Sequence, residues 1–176
     1  MPGEPTPHLS YISYDRFLAD LETLAQQLEA SDWRPDFLVG VGRGGLVPAA
    51  YLSHRTGMPM LSVDHSSGEP GFADELLAKL ARKSRDGQRI LIVDDINDSG
   101  TTIAYLRDAI ERQGGVEDHV RVAVLINNSR SKAKAEFFAA EINRDVDKDW
   151  FVFPWEAVAP RTAIEDEAVS VPERLA

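Results

Sequence analysis

The chain has no cysteine, which excludes disulfides, thiolate nucleophiles and cysteine zinc sites together. Long apolar runs are missing as well. None approaches the ~20 residues that a membrane-crossing helix needs, and the polar, proline-bearing start MPGEPTPH lacks a secretory-signal pattern. A cytoplasmic location with no membrane partner is the expectation. Positive charge is scarce: 19 Lys and Arg stand against 29 Asp and Glu, for a net charge of −10. That balance argues against nonspecific nucleic-acid binding, which needs a basic surface. It leaves small anionic substrates open, because local charge and bound metal decide there. No internal repeat is visible.

What is present fits one globular enzyme domain. Apolar residues make up 43% and charged residues 27% of 176 residues, enough for a single core without splitting. Helices and strands alternate. Ser13 is placed to cap a helix over 14–30, whose Phe17, Leu18, Leu21, Leu24, Ala25 and Leu28 form one apolar stripe. Strands are expected at 35–41, 60–63, 90–93 and 120–126, with edge strands at 136–142 and 150–153. Helices are expected at 47–55 and 74–84, and after Ser99 up to Gly114 and Gly115. This alternation predicts an α/β fold, a mostly parallel sheet flanked by helices on both faces. Residues 1–13 read as a loosely ordered lead, 14–160 as the domain, and 161–176 as an acidic tail. The basic residues Lys79, Arg82, Lys83, Arg85 and Arg89 read best as a solvated helix face.

The richest stretch is RILIVDDINDSGTT, from Arg89 to Thr102. Ile90, Leu91, Ile92 and Val93 form an apolar run suited to a strand covered on both faces. Asp94 and Asp95 follow where that strand should end, and Asp98, Ser99, Gly100, Thr101 and Thr102 open a helix with a hydroxyl-rich turn. In open α/β sheets ligands bind at strand carboxyl ends, and helix N-termini attract phosphate. Two acids for a diol or a metal therefore lie beside amides and hydroxyls for a phosphate.

This pattern, apolar–Asp–Asp–x–x–Asp–Ser–Gly–x–Thr, resembles the signature with which type I phosphoribosyltransferases bind phosphoribosyl pyrophosphate. Asn97 departs from it, standing where the family usually has an apolar residue. A second element, Gly42-Arg43-Gly44-Gly45-Leu46-Val47-Pro48, is similar to the pyrophosphate loop of the 6-oxopurine (xanthine-guanine and hypoxanthine) branch. Gly40, Gly42 and Gly45 also satisfy GxGxxG, and Asp64 lies 19 residues beyond Gly45, so a dinucleotide-binding oxidoreductase is a rival reading. Arg43 inside the turn suits a free pyrophosphate better. A third element, Trp150-Phe151-Val152-Phe153-Pro154-Trp155-Glu156, resembles the hood that covers the base in that branch. The hood would span about 136–156.

The resemblance implies a magnesium-dependent enzyme that transfers phosphoribosyl to a nucleobase, a purine by preference, and releases pyrophosphate. Asp94 and Asp95 would meet the ribose hydroxyls, with Asp95 and Glu156 toward Mg2+. Asp98 would act as general base, its bland alternative being a helix cap. Asp98, Ser99, Gly100, Thr101 and Thr102 would hold the 5′-phosphate, and Arg43 and Gly44 the pyrophosphate. Trp150 would stack on the base and the Phe151 backbone would read its edge, while Trp155 is left to packing. A homo-oligomer, dimer or tetramer, is implied too. Two departures leave the acceptor open. Asn127 or Asn128 stands where that branch has a base-contacting lysine, and Ser66-Ser67-Gly68 lacks the tyrosine of its mobile loop. An amide both donates and accepts, so Asn127 is the candidate base contact. These gaps keep a second class alive, a regulator that senses phosphoribosyl pyrophosphate or nucleotide on the same fold.

Overall fold

The computed structural model describes residues 7–63 and 72–171. The elements run β1 (Leu9–Tyr11), α1 (Tyr14–Ala30), β2 (Phe37–Val41), α2 (Gly42–Thr56), β3 (Met60–Val63), α3 (Phe72–Arg85), β4 (Ile90–Asn97), α4 (Thr101–Arg112), β5 (Val120–Asn128), β6 (Phe137–Ile142), β7 (Trp150–Val152) and α5 (Arg161–Val169). Five strands form one sheet in the order β3-β2-β4-β5-β6, and every neighbouring pair is parallel.

Alternate side chains of the sheet feed two cores, as the period of a strand requires. Leu38, Leu91, Val93, Ala123 and Leu125 pack on one face under α1 and α2. Val39, Ile90, Ile92, Val122 and Val124 pack on the other under α3 and α4. Ile90 to Val93 are at most 1% exposed, as their unbroken apolar run foretold. Ser13 caps α1, its Oγ accepting the Arg16 N–H at 3.1 Å.

The structure corrects four boundaries. First, β4 does not end at Val93. It runs on through both acids to Asn97, because β5 continues beside it and pairs Asp94 with Val124 and Asn97 with Asn127. Second, the glycine segment is no loop. Gly42, at φ 54°, turns the chain straight from β2 into α2, whose first turn holds Gly44 and Gly45. Third, the lead is partly ordered: β1 pairs in parallel with β7, Leu9 opposite Trp150 and Tyr11 opposite Val152. The stretch at 150–153 is therefore no edge of the main sheet but half of a separate two-stranded ribbon. Fourth, the acidic tail contains α5, which buries Ile164 and Ala168 one turn apart.

Candidate active site

The site is built where α2 comes closest to β4. A Cβ on Gly45 would run into the Val93 carbonyl, and one on Gly44 would overlap the Asp95 carboxylate. Only hydrogen at these positions lets the first turn of α2 lie against the acids. Asp95 is 9% exposed, and its Oδ1 accepts the Ile96 N–H at 2.7 Å. Asp94 Oδ1 accepts the Asp95 N–H at 3.0 Å. Asp94 keeps some surface in the cavity, yet protein surrounds its carboxyl. Burial pushes that carboxyl well above its ordinary range, and the neighbouring Asp95 charge pushes the same way.

A cavity of about 700 Å³ opens here, lined by Arg43, Gly44, Asp94, Asp95, Thr102 and Trp150. Trp155 and Glu156 face it from the hood, and Ala163, Ile164 and Glu167 wall it from α5. A smaller cavity of about 250 Å³ adjoins, shared by Asp95, Ile96, Arg144, Trp150, Phe151 and Glu156. Trp150, Asp95 and Glu156 line both, so they stand at the junction. Burial raises the Glu156 carboxyl to about 7, and Asp95 and Glu167 add to the rise, while the Phe153 N–H and Arg43 oppose it. That N–H donates to Glu156 Oε2 at 2.9 Å.

At the start of α4, Gly100 has φ 84° and offers no side-chain cap, and the Thr101 N–H donates instead to Ser99 Oγ at 3.3 Å. Ser99 and Thr101 hydroxyls lie 2.9 Å apart beside that turn. A Cβ on Gly100 would collide with Ala133 and Ser131, which explains the glycine.

Asp98 and Asn127 are placed differently from their expected roles. The Asp98 carboxylate is bound by Arg144, at 3.1 and 3.2 Å from Nε and 3.0 Å from Nη2, and it lines neither of these two cavities. Arg144 stands on the cavity side instead. Asn127 faces β4, its Oδ1 accepting from Asn97 Nδ2 at 2.8 Å, and it too lines neither cavity. Asn97 also donates to the Ala133 carbonyl at 2.8 Å and accepts from Ser131 Oγ at 2.8 Å. The polar residue in an apolar position thus ties β4 to β5 and to the turn that supports Gly100. Asn128 Nδ2 donates to the Asp98 carbonyl at 3.0 Å, so it is another brace. Trp155 packs as expected, stacked on Phe153 at 4.9 Å between centroids and edge-on to Phe17 at 5.2 Å. Ser66, Ser67 and Gly68 lie outside the described residues.

Sequence reasoning missed Arg144 and α5. Arg144 had no signal, since its partner Asp98 is 46 residues away. The i, i+4 spacing of Ile164 and Ala168 was the one trace of α5.

A parallel sheet with a paired acid, a glycine turn and a helix N-terminus at its carboxyl edge belongs to the open α/β class that binds ligands there. The comparisons agree. Residues 11–159 match the family model of the phosphoribosyl transferase domain. A xanthine-guanine phosphoribosyltransferase of Gluconobacter oxydans (strain 621H) is 29% identical over 155 residues, which cover 86% of each chain. Among solved structures, the Helicobacter pylori xanthine-guanine-hypoxanthine phosphoribosyltransferase superposes with a TM-score of 0.65 at 25% identity, over 86% of this chain and 95% of that one. A hypothetical protein from Neisseria gonorrhoeae with bound ppGpp shares the fold, with a TM-score of 0.66 at 20% identity over 96% and 99% of the two chains. The chain belongs to the phosphoribosyl transferase family. It is a pentosyltransferase, an enzyme of phosphoribosyl transfer. No helix among the described residues is long and apolar enough to cross a membrane.

Proposed function

We propose that the enzyme transfers the 5-phosphoribosyl group of phosphoribosyl pyrophosphate to a purine base, with Mg2+, and releases pyrophosphate. One observation carries this reading: Arg43, Gly44, the Asp94–Asp95 pair, Thr102 and the hood residues Trp150 and Glu156 face one cavity. The names of the relatives, xanthine-guanine and xanthine-guanine-hypoxanthine enzymes, point the same way.

Arg43 and the first turn of α2 receive the pyrophosphate, and the Asp94–Asp95 pair receives the ribose hydroxyls. The amides of the Ser99–Thr102 turn, with their hydroxyls, receive the 5′-phosphate, where the helix dipole favours an anion. Trp150 provides a flat face at the junction of the two cavities, and stacking of this kind contributes about 1–3 kcal/mol per base. The donor set suits magnesium. Among the described residues no three acids or histidines cluster tightly enough to encage a metal alone. Mg2+ instead uses one or two carboxylates together with substrate phosphates and water, and Asp95 and Glu156 are the pair that would hold it. When bound, it neutralises the charge that gathers on the departing pyrophosphate. Asp98 acts through Arg144, as its counter-ion, rather than as a base open to the cavity.

The test is pyrophosphate release from phosphoribosyl pyrophosphate and Mg2+ against single nucleobases. Release with a purine and none with a pyrimidine is the expected result. Release with pyrimidines alone would overturn the purine assignment. Tight binding of phosphoribosyl pyrophosphate without release on any base would turn the reading toward a sensor.

A further inference from the structure

The turn between β6 and β7 carries a buried cation whose bonding is nearly saturated. The Arg144 side chain is 10% exposed. Its Nε and Nη2 grip Asp98, and its Nη1 donates to the carbonyls of Asp147 at 3.2 Å and Asp149 at 2.6 Å. Its Cζ lies 5.2 Å from the Phe151 ring centroid. Asn128 Oδ1 accepts the Arg144 backbone N–H at 3.2 Å, which ties the turn to β5. The residue is thus held from three sides, and it forms part of the wall of the smaller cavity beside Trp150.

A guanidinium has five N–H donors in a rigid fork. One on Nε and one on Nη2 go to Asp98, and both on Nη1 go to carbonyls. The remaining donor, on Nη2, has no partner among the described residues. A buried charged donor without a partner is costly unless a ligand or water completes it. We propose that Arg144 is the specificity residue for the acceptor base: its remaining Nη2 N–H donates to a ring oxo group of a heterocycle stacked at Trp150. This rests on the purine transferase reading and names the residue that selects the base. The wall offers a donor there, so an exocyclic amine, itself a donor, is disfavoured at the same position. Asn127, turned toward Asn97, plays no part in the choice.

The experiment compares binding of inosine 5′-monophosphate and adenosine 5′-monophosphate, which differ by an oxo and an amino group, to the full chain by calorimetry. The unaltered protein should favour the inosine nucleotide by about tenfold or more, the worth of one charge-assisted hydrogen bond. Arg144→Lys keeps a cation against Asp98 but loses the fork, and should bring the ratio near one. Because an unpaired Asp98 could unfold the chain, the second variant is Arg144→Gln with Asp98→Asn, which removes both charges together. It should lose the preference too, and thermal melts would verify that it folds. A folded variant that keeps the full ratio overturns the role of Arg144. So does an unaltered protein that binds phosphoribosyl pyrophosphate but does not distinguish the nucleotides. Failure of the unaltered protein to bind phosphoribosyl pyrophosphate at all would overturn the transferase reading, and this inference with it.

Discussion

Gly44 and Gly45 share a turn of α2 but are closed to a methyl group for different reasons. At Gly44 the obstacle is the Asp95 carboxylate, a side chain that can shift; at Gly45 it is the backbone carbonyl of Val93. Gly44→Ala should therefore leave the fold intact and displace Asp95, lowering turnover about 100-fold, the usual cost of misplacing a reacting group by an ångström. Gly45→Ala should act on stability, by about 1–3 kcal/mol of overpacking, read as a lower denaturant midpoint. Glu156 gives a prediction of another kind. In the unfolded chain its carboxyl titrates near 4.5, whereas burial holds it protonated up to about 7 in the folded protein. Between those values the folded state binds more protons, so stability falls as pH rises. Melting temperatures of magnesium-free protein should decline across that window. Glu156→Gln should flatten the decline in part, since Asp94 is shifted in the same direction.

At the scale of elements, what could be read from the sequence follows from how strongly each element announces itself. The strand at 90–93 did so by four consecutive aliphatic residues, and α1 by a capped apolar stripe of which the structure buries all but Leu18. Both needed only local chemistry. β1 is three residues, Leu-Ser-Tyr, with no period to detect, and it exists because β7 supplies its ladder. α5 is likewise defined by what it lies against, and its acidic composition hid two buried side chains. The acids of β4, the glycine turn and the hood were legible as a site because their residue types are unusual together. The binding of Asp98 to Arg144 was not, because an ion pair between distant turns leaves no spacing rule behind. α5 lies beyond the matched family span and yet walls the cavity. Ile164→Ala should loosen it selectively. Amides of residues 164–169 should exchange hydrogen faster while those of β4 stay protected, because a short helix outside the sheet's two cores opens as its own unit.

At the scale of the molecule, the five-stranded sheet and the hood differ in how far apart their parts lie in sequence. In the sheet the widest pairing between neighbours, β2 with β4, sets Phe37 opposite Ile90, 53 residues on. The hood joins stretches far apart in sequence: the Trp150 N–H donates to the His8 carbonyl at 2.8 Å, and His8 Nδ1 meets Asp149 Oδ1 at 2.7 Å across 141 residues. A two-stranded ribbon is marginal without its partner strand. Deleting residues 1–12 should therefore preserve the far-ultraviolet circular dichroism of the sheet and the binding of phosphoribosyl pyrophosphate. Affinity for the nucleotide product should fall as Trp150 loses its support. The same closure sets an order of events during synthesis. Pairings over long separations form last, after the loop entropy of everything between has been overcome. A nascent chain still short of residue 150 can already fold β2 to β5 and set Asp94 and Asp95 in place, but its first strand waits unpaired. The ribosome must therefore deliver residue 150 before β1 finds its ladder, and a chain halted short of it should carry a folded sheet with its cavity still open on the Trp150 side.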